Sequence, residues 1–186
     1  MKSEFELKTK QNLRVQAKKI RNSLDIQTIS SAIARQLIML DAYKKAKIVA
    51  GFYPFGHEVD LRQLYHDLTK KWHLPRLIND TKITFYPFKS PSKMEKNKYG
   101  IHEPACGKEL GLSEMDIIIA PALMVDKNGH RLGYGKGYYD RFLSKLPEKC
   151  LKIVPIPEEL LIESLPIDNF DISVDIAVTQ DKIYYF

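Results

Sequence analysis

The stretch Arg131-Leu132-Gly133-Tyr134-Gly135-Lys136-Gly137-Tyr138-Tyr139-Asp140 sets the interpretation of this chain. It places three alternating glycines, two cations, three tyrosines and a carboxylate within ten residues. The apolar segment 116–124 before it predicts a buried strand, and the spacing of Phe142, Leu143 and Leu146 after it predicts a helix. We therefore expect a strand, a glycine loop and a helix N-terminus in succession.

This order favours an anion site. The first amides of a helix lack internal acceptors, and glycines allow backbone donors to approach an anion closely. The spacing matches neither the P-loop nor the dinucleotide fingerprint, which excludes the generic nucleotide motifs. A tight turn, core tyrosines and a first-turn acid explain the residues one at a time, but not all ten together.

The composition is that of a folded domain. With 186 residues, 44% hydrophobic and 28% charged, the chain is expected to form one domain over residues 1–186. Its longest apolar run, 117–125, is too short to span a bilayer, and its N-terminus is charged rather than signal-like. We expect a cytoplasmic protein without a membrane partner. Cys106 and Cys150 lack metal-type spacing and the histidines are scattered, so any metal should be held by oxygen.

The charge of +6 is unevenly distributed. Residues 1–21 hold seven cations against two acids, whereas residues 158–186 hold seven acids against Lys182 alone. A basic beginning and an acidic end suit a pocket for a polyanion and a divalent cation. They also suit a solvated surface, or an RNA-binding α/β protein that uses the basic N-terminus and the lysines of 89–98.

Helical and strand patterns alternate along the chain. Leu13, Ala17 and Ile20 form a stripe that predicts a helix over 4–22, and Asp25 caps a second helix. A strand at 47–53 precedes a helix capped by Asp60 with Leu61, Leu64, Leu68 and Trp72 on its inner face. Further elements are expected as strands at 74–76, 82–88, 151–156, 174–179 and 183–186 and a short helix at 157–165, with 89–112 irregular. The alternation predicts an α/β fold with a mostly parallel sheet covered on both faces.

Two residues after the strand at 47–53 become site candidates by position. Ligands of α/β sheets bind at the carboxyl ends of the strands, where Tyr53 and Glu58 are expected. A half-buried strand tyrosine and an ordinary loop acid are the commoner explanations of two such residues. On the first predicted helix a basic stripe runs beside the apolar one and consists of Lys10, Arg14, Lys18 and Arg21. Lys10 and Arg14 are one turn apart and share a face, which serves either phosphate or solvent.

Five segments together resemble the 5-formyltetrahydrofolate cyclo-ligase (5,10-methenyltetrahydrofolate synthetase) family. The glycine loop with Arg141 is close to that family's signature and is the most specific of them. The other four are 10–14 (Lys-Gln-Asn-Leu-Arg), 56–60 (Gly-His-Glu-Val-Asp), 100–104 (Gly-Ile-His-Glu-Pro) and 171–175 (Asp-Ile-Ser-Val-Asp). Ala122 and Phe170 stand where the family usually has Gly and His.

The resemblance implies a three-layer α/β/α sandwich and a ligase that forms a cyclic C–N bond in folate one-carbon metabolism. It implies conversion of 5-formyltetrahydrofolate to 5,10-methenyltetrahydrofolate with ATP as co-substrate and Mg²⁺ as cofactor, releasing ADP and phosphate. In that family the formyl oxygen takes the γ-phosphoryl group before the ring closes. The implied partners are small molecules only, without nucleic acid, and the chain is expected to be a monomer.

The resemblance also implies roles for individual residues. Arg14, Arg131 and Lys136 are expected to be catalytic, by stabilising the transferring phosphate. ATP is expected to bind at Lys10, Arg14, Arg131, Leu132, Gly133, Tyr134, Gly135, Lys136, Gly137, Tyr138 and Tyr139. The folate substrate is expected at Tyr53, Glu58, Tyr134, Gly135, Lys136, Gly137 and Tyr138. Magnesium is expected at Asp140 and Asp175. The chemistry of the loop itself, apart from the resemblance, makes Tyr138 and Tyr139 candidates to stack on a substrate ring.

An RNA-binding protein and a sugar-phosphate isomerase of similar architecture remain as rivals from other classes. RNA affinity that falls steeply with salt marks the first, and turnover without ATP marks the second. Neither rival accounts for two distant carboxylates, Asp140 and Asp175, accompanying a phosphate loop.

Overall fold

The computed structural model describes residues 9–186, so the predicted helix start at Glu4 and the cations Lys2 and Lys8 lie outside the described residues. Within these described residues the chain forms four α-helices: α1 (Lys10–Asn22), α2 (Ile26–Met39), α3 (Asp41–Lys45) and α4 (Tyr138–Leu143). The Thr9 and Asp25 side chains accept hydrogen bonds from the amides of Asn12 and Thr28 and so cap α1 and α2. The predicted cap at Asp25 is confirmed.

The described part of the chain also contains twelve strands. They are β1 (Ile48–Ala50), β2 (Lys71–Leu77), β3 (Ile83–Pro87), β4 (Met94–Lys96), β5 (His102–Pro104), β6 (Ile117–Ile119), β7 (Met124–Asp126), β8 (Arg131–Leu132), β9 (Leu151–Pro155), β10 (Leu161–Ile162), β11 (Ile176–Val178) and β12 (Ile183–Tyr185). Seven form a central sheet in the order β12-β11-β9-β6-β1-β2-β3. Its five inner strands are parallel, and the edge strands β12 and β3 are antiparallel to their neighbours. The predicted α/β class with a mostly parallel sheet is confirmed.

Helices cover both faces of this sheet. Alternate residues of each strand point to opposite faces and belong to different apolar clusters. Val49 of β1 and Ile117 of β6 pack with α2 and α3 on one face. The next residues along, Ala50 and Ile118, pack with α4 on the other face, where α1 also lies against Val154 of β9. The three layers follow from the strand period of two. None of the helices in residues 9–186 has the length and apolar character needed to cross a bilayer.

The prediction of an α-helix after Asp60 is wrong. The chain forms only one 3₁₀ turn, Arg62–His66, and Leu68 is 97% exposed. The turn ends at Asp67, whose carboxylate accepts hydrogen bonds from the amide and hydroxyl of Thr69. Trp72 lies in β2 and contacts the rings of Tyr43 and Tyr65. The apolar residues at helical spacing therefore belong to three different local structures.

Two further expectations differ from the structure. Instead of a helix over 157–165, the chain forms a 3₁₀ turn, Glu158–Leu160, and then β10, which pairs with β7 in a small sheet with β8. The amide of Leu165 donates to the buried carboxylate of Asp126 at 2.9 Å rather than to a helical carbonyl. The segment expected to be irregular, 89–112, contains the β4–β5 hairpin.

Candidate functional site

One cavity of about 1050 Å³ opens at the carboxyl edge of the parallel strands. It is lined by three segments singled out from the sequence: the basic face of α1, the loop that follows β1, and the glycine loop before α4. Lys10, Arg14, Tyr53, Glu58 and every residue from 131 to 141 border it. The structure thus brings together groups that are more than a hundred residues apart.

Each glycine of the loop makes room for a guanidinium group. A Cβ atom on Gly133 would lie 3.1 Å from Arg131 Nη1, one on Gly135 3.2 Å from Arg14 Cζ, and one on Gly137 2.8 Å from Arg141 Nη1. Gly135 and Gly137 also have φ of +97° and +67°, where side-chain-bearing residues are strained. The alternation of glycines reflects three arginines packed against one loop.

Two cations of this loop region face the cavity. Arg14 Nε donates to the carbonyl oxygen of Gly133 at 2.9 Å, which ties α1 to the loop. Lys136 is exposed, and its carbonyl oxygen accepts a hydrogen bond from Arg141 Nη2 at 2.9 Å. Arg141 Nε in turn donates to the Thr81 carbonyl at 2.8 Å. Arg141 therefore holds the backbone while Arg14 and Lys136 present positive charge to the cavity.

Arg131 has a different position from the one expected of a phosphate ligand. Only 2% of its side chain is exposed, and Nη2 donates to Asp140 Oδ1 at 2.8 Å. Its guanidinium carbon lies 5.6 Å from the centre of the Tyr139 ring. Burial directs Arg131 toward Asp140 rather than toward a ligand.

Tyr139 is likewise not placed for stacking on a substrate. It packs against the apolar clusters around α1 and α4. Its hydroxyl is buried without a hydrogen bond within residues 9–186. Tyr138 packs under Arg141, with 5.6 Å between the guanidinium carbon and the ring centre. Tyr134, 43% exposed, is the tyrosine of the loop that offers most surface to the cavity.

The Lys10 side chain is held by two carboxylates that the sequence interpretation did not assign. Its Nζ contacts Asp168 at 2.6 Å and also contacts Asp171. Burial opposes the charged form of Asp171, but the hydrogen bonds from Lys10 and from the amide of Asp168 bring its pKa below the ordinary value. Both acids border the cavity, together with Phe170, which is 83% exposed.

Asp175 does not join Asp140, contrary to the expected magnesium pair. It lies immediately before β11, at the amino edge of the parallel strands, whereas Asp140 borders the cavity at the carboxyl edge. Its carboxylate accepts hydrogen bonds from the Lys152 amide at 2.7 Å and from Lys152 Nζ at 2.9 Å. Asp175 therefore joins two strand beginnings and is corrected to a structural residue.

Glu58 belongs to a buried hydrogen-bonded chain with Tyr134 and Arg21. Tyr134 Oη donates to Glu58 Oε1 at 2.5 Å, and Arg21 Nη1 donates to Tyr134 Oη at 3.0 Å. Burial raises the pKa of Glu58 above its ordinary value, although the hydrogen bonds from Tyr134 and the Phe55 amide oppose the rise. Arg21 was not a sequence candidate; its signal was its place on the basic stripe, seven residues after Arg14.

A second cavity of about 980 Å³ adjoins the first and shares Tyr53 and Glu58 with it. Tyr53 contacts the His102 ring, with 4.9 Å between ring centres, and Arg62 Nη1 donates to its hydroxyl at 3.4 Å. Tyr53 therefore borders both cavities.

Comparison with known proteins finds similar sequences and a similar structure. The sequence profile of the 5-formyltetrahydrofolate cyclo-ligase family matches residues 6–180. The proteins named 5-formyltetrahydrofolate cyclo-ligase from Haemophilus influenzae and Escherichia coli K12 are each 30% identical, over 91% and 85% of this chain and 97% and 91% of their own. The structure of Aquifex aeolicus 5,10-methenyltetrahydrofolate synthetase superposes with a TM-score of 0.84 at 33% identity, covering 95% of this chain and 92% of that one.

Proposed function

This chain belongs to the 5-formyltetrahydrofolate cyclo-ligase family, and we propose that it converts 5-formyltetrahydrofolate to 5,10-methenyltetrahydrofolate with consumption of MgATP. The observation that carries the proposal is the single cavity in which a buried carboxylate, Glu58, meets a cationic glycine loop. Its volume of about 1050 Å³ lies at the upper end of the roughly 300–1,000 Å³ usual for one small ligand. This size supports a site for more than one small ligand.

Two groups of residues that line the cavity suit the two substrates. Arg14, Lys136 and the backbone amides of the loop suit the phosphates of ATP, because they combine positive charge with close backbone donors. Glu58 suits the N–H donors on the polar edge of the pterin, with Tyr53 and Tyr134 beside it. Lys10 contacts Asp168 and Asp171 through Nζ, which has a third proton to offer a phosphate.

The proposed reaction begins when the formyl oxygen attacks the γ-phosphorus and ADP leaves. The neighbouring N10 then bonds to the formyl carbon and loses its proton. Finally, the C–O bond breaks, phosphate leaves with that oxygen, and the methenyl bridge remains between the two nitrogens. Phosphoryl transfer depends mainly on positioning and charge stabilisation, so Arg14 and Lys136 stabilise the transferring group. Arg131 acts through Asp140.

The residues present fit a magnesium ion. Nucleotide-bound Mg²⁺ takes one or two protein carboxylates and completes its shell with phosphates and water. Asp140 and Asp171 border the cavity, and residues 9–186 hold no cluster of three or more His, Cys, Asp or Glu side chains that would form a closed site. We propose Asp140, with Asp171 in place of Asp175, as its ligands. The ion would neutralise charge that develops on the phosphates.

The direct test is the absorbance band of methenyltetrahydrofolate after the protein is mixed with MgATP and 5-formyltetrahydrofolate. The band should appear only with ATP, and ADP and methenyl product should form in equal amounts. Glu58→Gln is the matched control, because it keeps the shape of the side chain and removes its charge. Absence of an ATP-dependent band in the wild type would refute the proposal.

We also propose that the chain acts as a monomer in the cytoplasm on small molecules, with neither nucleic acid nor a membrane as partner. Light scattering during size-exclusion chromatography tests the monomer, and a shared site is indicated if activity falls on dilution.

A further inference from the structure

We propose that Arg21 is a positioning residue that keeps the Tyr134 hydroxyl proton directed at Glu58, so that Glu58 remains an acceptor-only carboxylate toward the folate. The inference rests on the proposed function, because it concerns how the cavity receives the N–H donors of the pterin edge. It assigns a role to a side chain outside the glycine loop.

Arg21 is placed to hold several segments at once. It is 4% exposed, although it is a cation on a surface helix. Nη2 donates to the Ala122 carbonyl at 2.5 Å, in the loop after β6, while Nη1 donates to Tyr134 in the glycine loop. Its Nε is buried and has no hydrogen bond within the described residues. Two of its donors thus join α1 to two loops at the cavity wall.

The direction of the hydrogen-bonded chain follows from the chemistry of its members. A guanidinium group has only donors, so the Tyr134 oxygen must accept from Arg21. Tyr134 has a single proton, which must then point at Glu58 Oε1. Glu58 Oε2 accepts from the Phe55 amide at 2.8 Å. Both oxygens of Glu58 are therefore acceptors in this arrangement, which favours the ionised carboxylate.

Burial works against this ionised state. The titratable or charged groups that act on Glu58 come from three elements: Arg21 from α1, Tyr134 from the glycine loop and Tyr139 from α4. Of these only Arg21 is positively charged. Without Arg21, the Tyr134 hydroxyl is free to turn, and a protonated Glu58 can donate to the tyrosine oxygen instead. The acceptor that faces the cavity is then lost.

The consequence is a pH dependence of folate binding. Charged Glu58 accepts from the pterin, so affinity falls when the pH drops through the Glu58 pKa. Loss of Arg21 removes a favourable charge and raises that pKa, so the fall begins at a higher pH. Above both pKa values Glu58 is charged in either protein, and the two affinities converge.

The experiment is calorimetric titration with 5-formyltetrahydrofolate in the absence of ATP, from about pH 5 to about pH 9, which brackets a raised carboxylate pKa. In Arg21→Met the midpoint should move up by about one pH unit, with about tenfold weaker binding below it. Glu58→Gln should bind the folate with no such midpoint in its pH dependence. The double variant Glu58→Gln/Arg21→Met should have no midpoint either. Lys19→Met removes an exposed charge from α1 and should leave the midpoint unchanged.

An unshifted midpoint in Arg21→Met, or an equal loss at every pH, overturns the proposal, because a purely structural role weakens binding uniformly. If that variant does not fold, Tyr134→Phe gives the same test, since it removes the hydroxyl between Arg21 and Glu58. Its midpoint should also rise, and an unchanged one overturns the proposal. If the wild type turns over normally but the variants keep the wild-type pH midpoint of folate binding, only the role of Arg21 is overturned. If the wild type neither binds nor converts the folate, both proposals are overturned.

Discussion

Gly135→Ala tests whether the glycine loop is shaped by the arginines packed against it. The new Cβ atom would lie 3.2 Å from Arg14 Cζ and 3.4 Å from Arg14 Nε, which donates to the Gly133 carbonyl. The guanidinium group must then move by a few tenths of an ångström, although no charge is removed. We expect both the free energy of unfolding and kcat/KM for ATP to fall.

The two effects have separate magnitudes. A residue other than glycine at a φ of +97° carries strain of about 1–3 kcal/mol. A charge-assisted hydrogen bond from Arg14 to phosphate contributes about 1.5–3 kcal/mol, so Arg14→Ala should lower kcat/KM for ATP about 10- to 100-fold. A displaced guanidinium that loses about 1 kcal/mol of this bond lowers it about fivefold.

The assay combines urea unfolding with steady-state kinetics at varied ATP. Gly100→Ala is the matched control, because Gly100 has a φ of +77° and no atom within 4 Å of its would-be Cβ. It should lose a similar free energy of unfolding and keep the wild-type kcat/KM for ATP. A fivefold kinetic loss in Gly135→Ala alone then isolates the contact with Arg14.

A double variant decides whether the effect passes through Arg14. If it does, Gly135→Ala adds little further loss of kcat/KM to Arg14→Ala, because the displaced group is already absent. Fully additive losses, or unchanged ATP kinetics in Gly135→Ala, would refute the reasoning.

Three further predictions concern residues outside this contact. Asp140→Asn should raise the Mg²⁺ concentration for half-maximal turnover about tenfold, whereas Asp175→Asn should leave it unchanged; the reverse pattern contradicts the exchange of Asp175 for Asp171. Asp126→Ala leaves three backbone amides without their buried acceptor and should cost about 3–5 kcal/mol of the free energy of unfolding. Burial opposes the charged form of Asp126, but hydrogen bonding lowers its pKa. The contribution of this carboxylate to the free energy of unfolding is therefore present at neutral pH, and the difference in stability between the variant and the wild type should narrow below about pH 4. A difference that stays constant with pH contradicts this prediction. Tyr65→Phe removes the hydroxyl that donates to the Phe52 carbonyl at 2.5 Å and should cost about 1–2 kcal/mol in thermal unfolding, so an unchanged melting temperature contradicts that bond.

Local patterns allowed much of this structure to be predicted. The stripe on α1, the cap at Asp25 and the glycine loop before α4 depend on near neighbours in sequence, and the structure has all three. The position of Glu58 after a parallel strand followed from the rule for ligand sites in α/β sheets, and it does border the cavity.

The sequence predictions failed where contacts between residues far apart in the chain determine the structure. Trp72 fits a helical stripe until β1 pairs with β2, and Arg131 resembles a phosphate ligand until its burial against Asp140 is known. For Asp175 a signal existed: it directly precedes a predicted parallel strand, so it belongs to the edge opposite the ligands. Arg21 lay on the basic stripe, but only the fold shows which cation of that stripe is buried.

The contacts that attach α1 to the rest of the protein affect how fast its amide hydrogens exchange with solvent. Its buried residues are Leu13, Ala17 and Arg21, whereas α2 buries five, four of them within a continuous apolar stripe. Much of its attachment is therefore polar and lies at the cavity. Such an element opens at low free energy, and a ligand that binds only the closed form protects it. Amide hydrogens of α1 should exchange with deuterium faster than those of the central sheet, and MgATP should slow them more than those of α2.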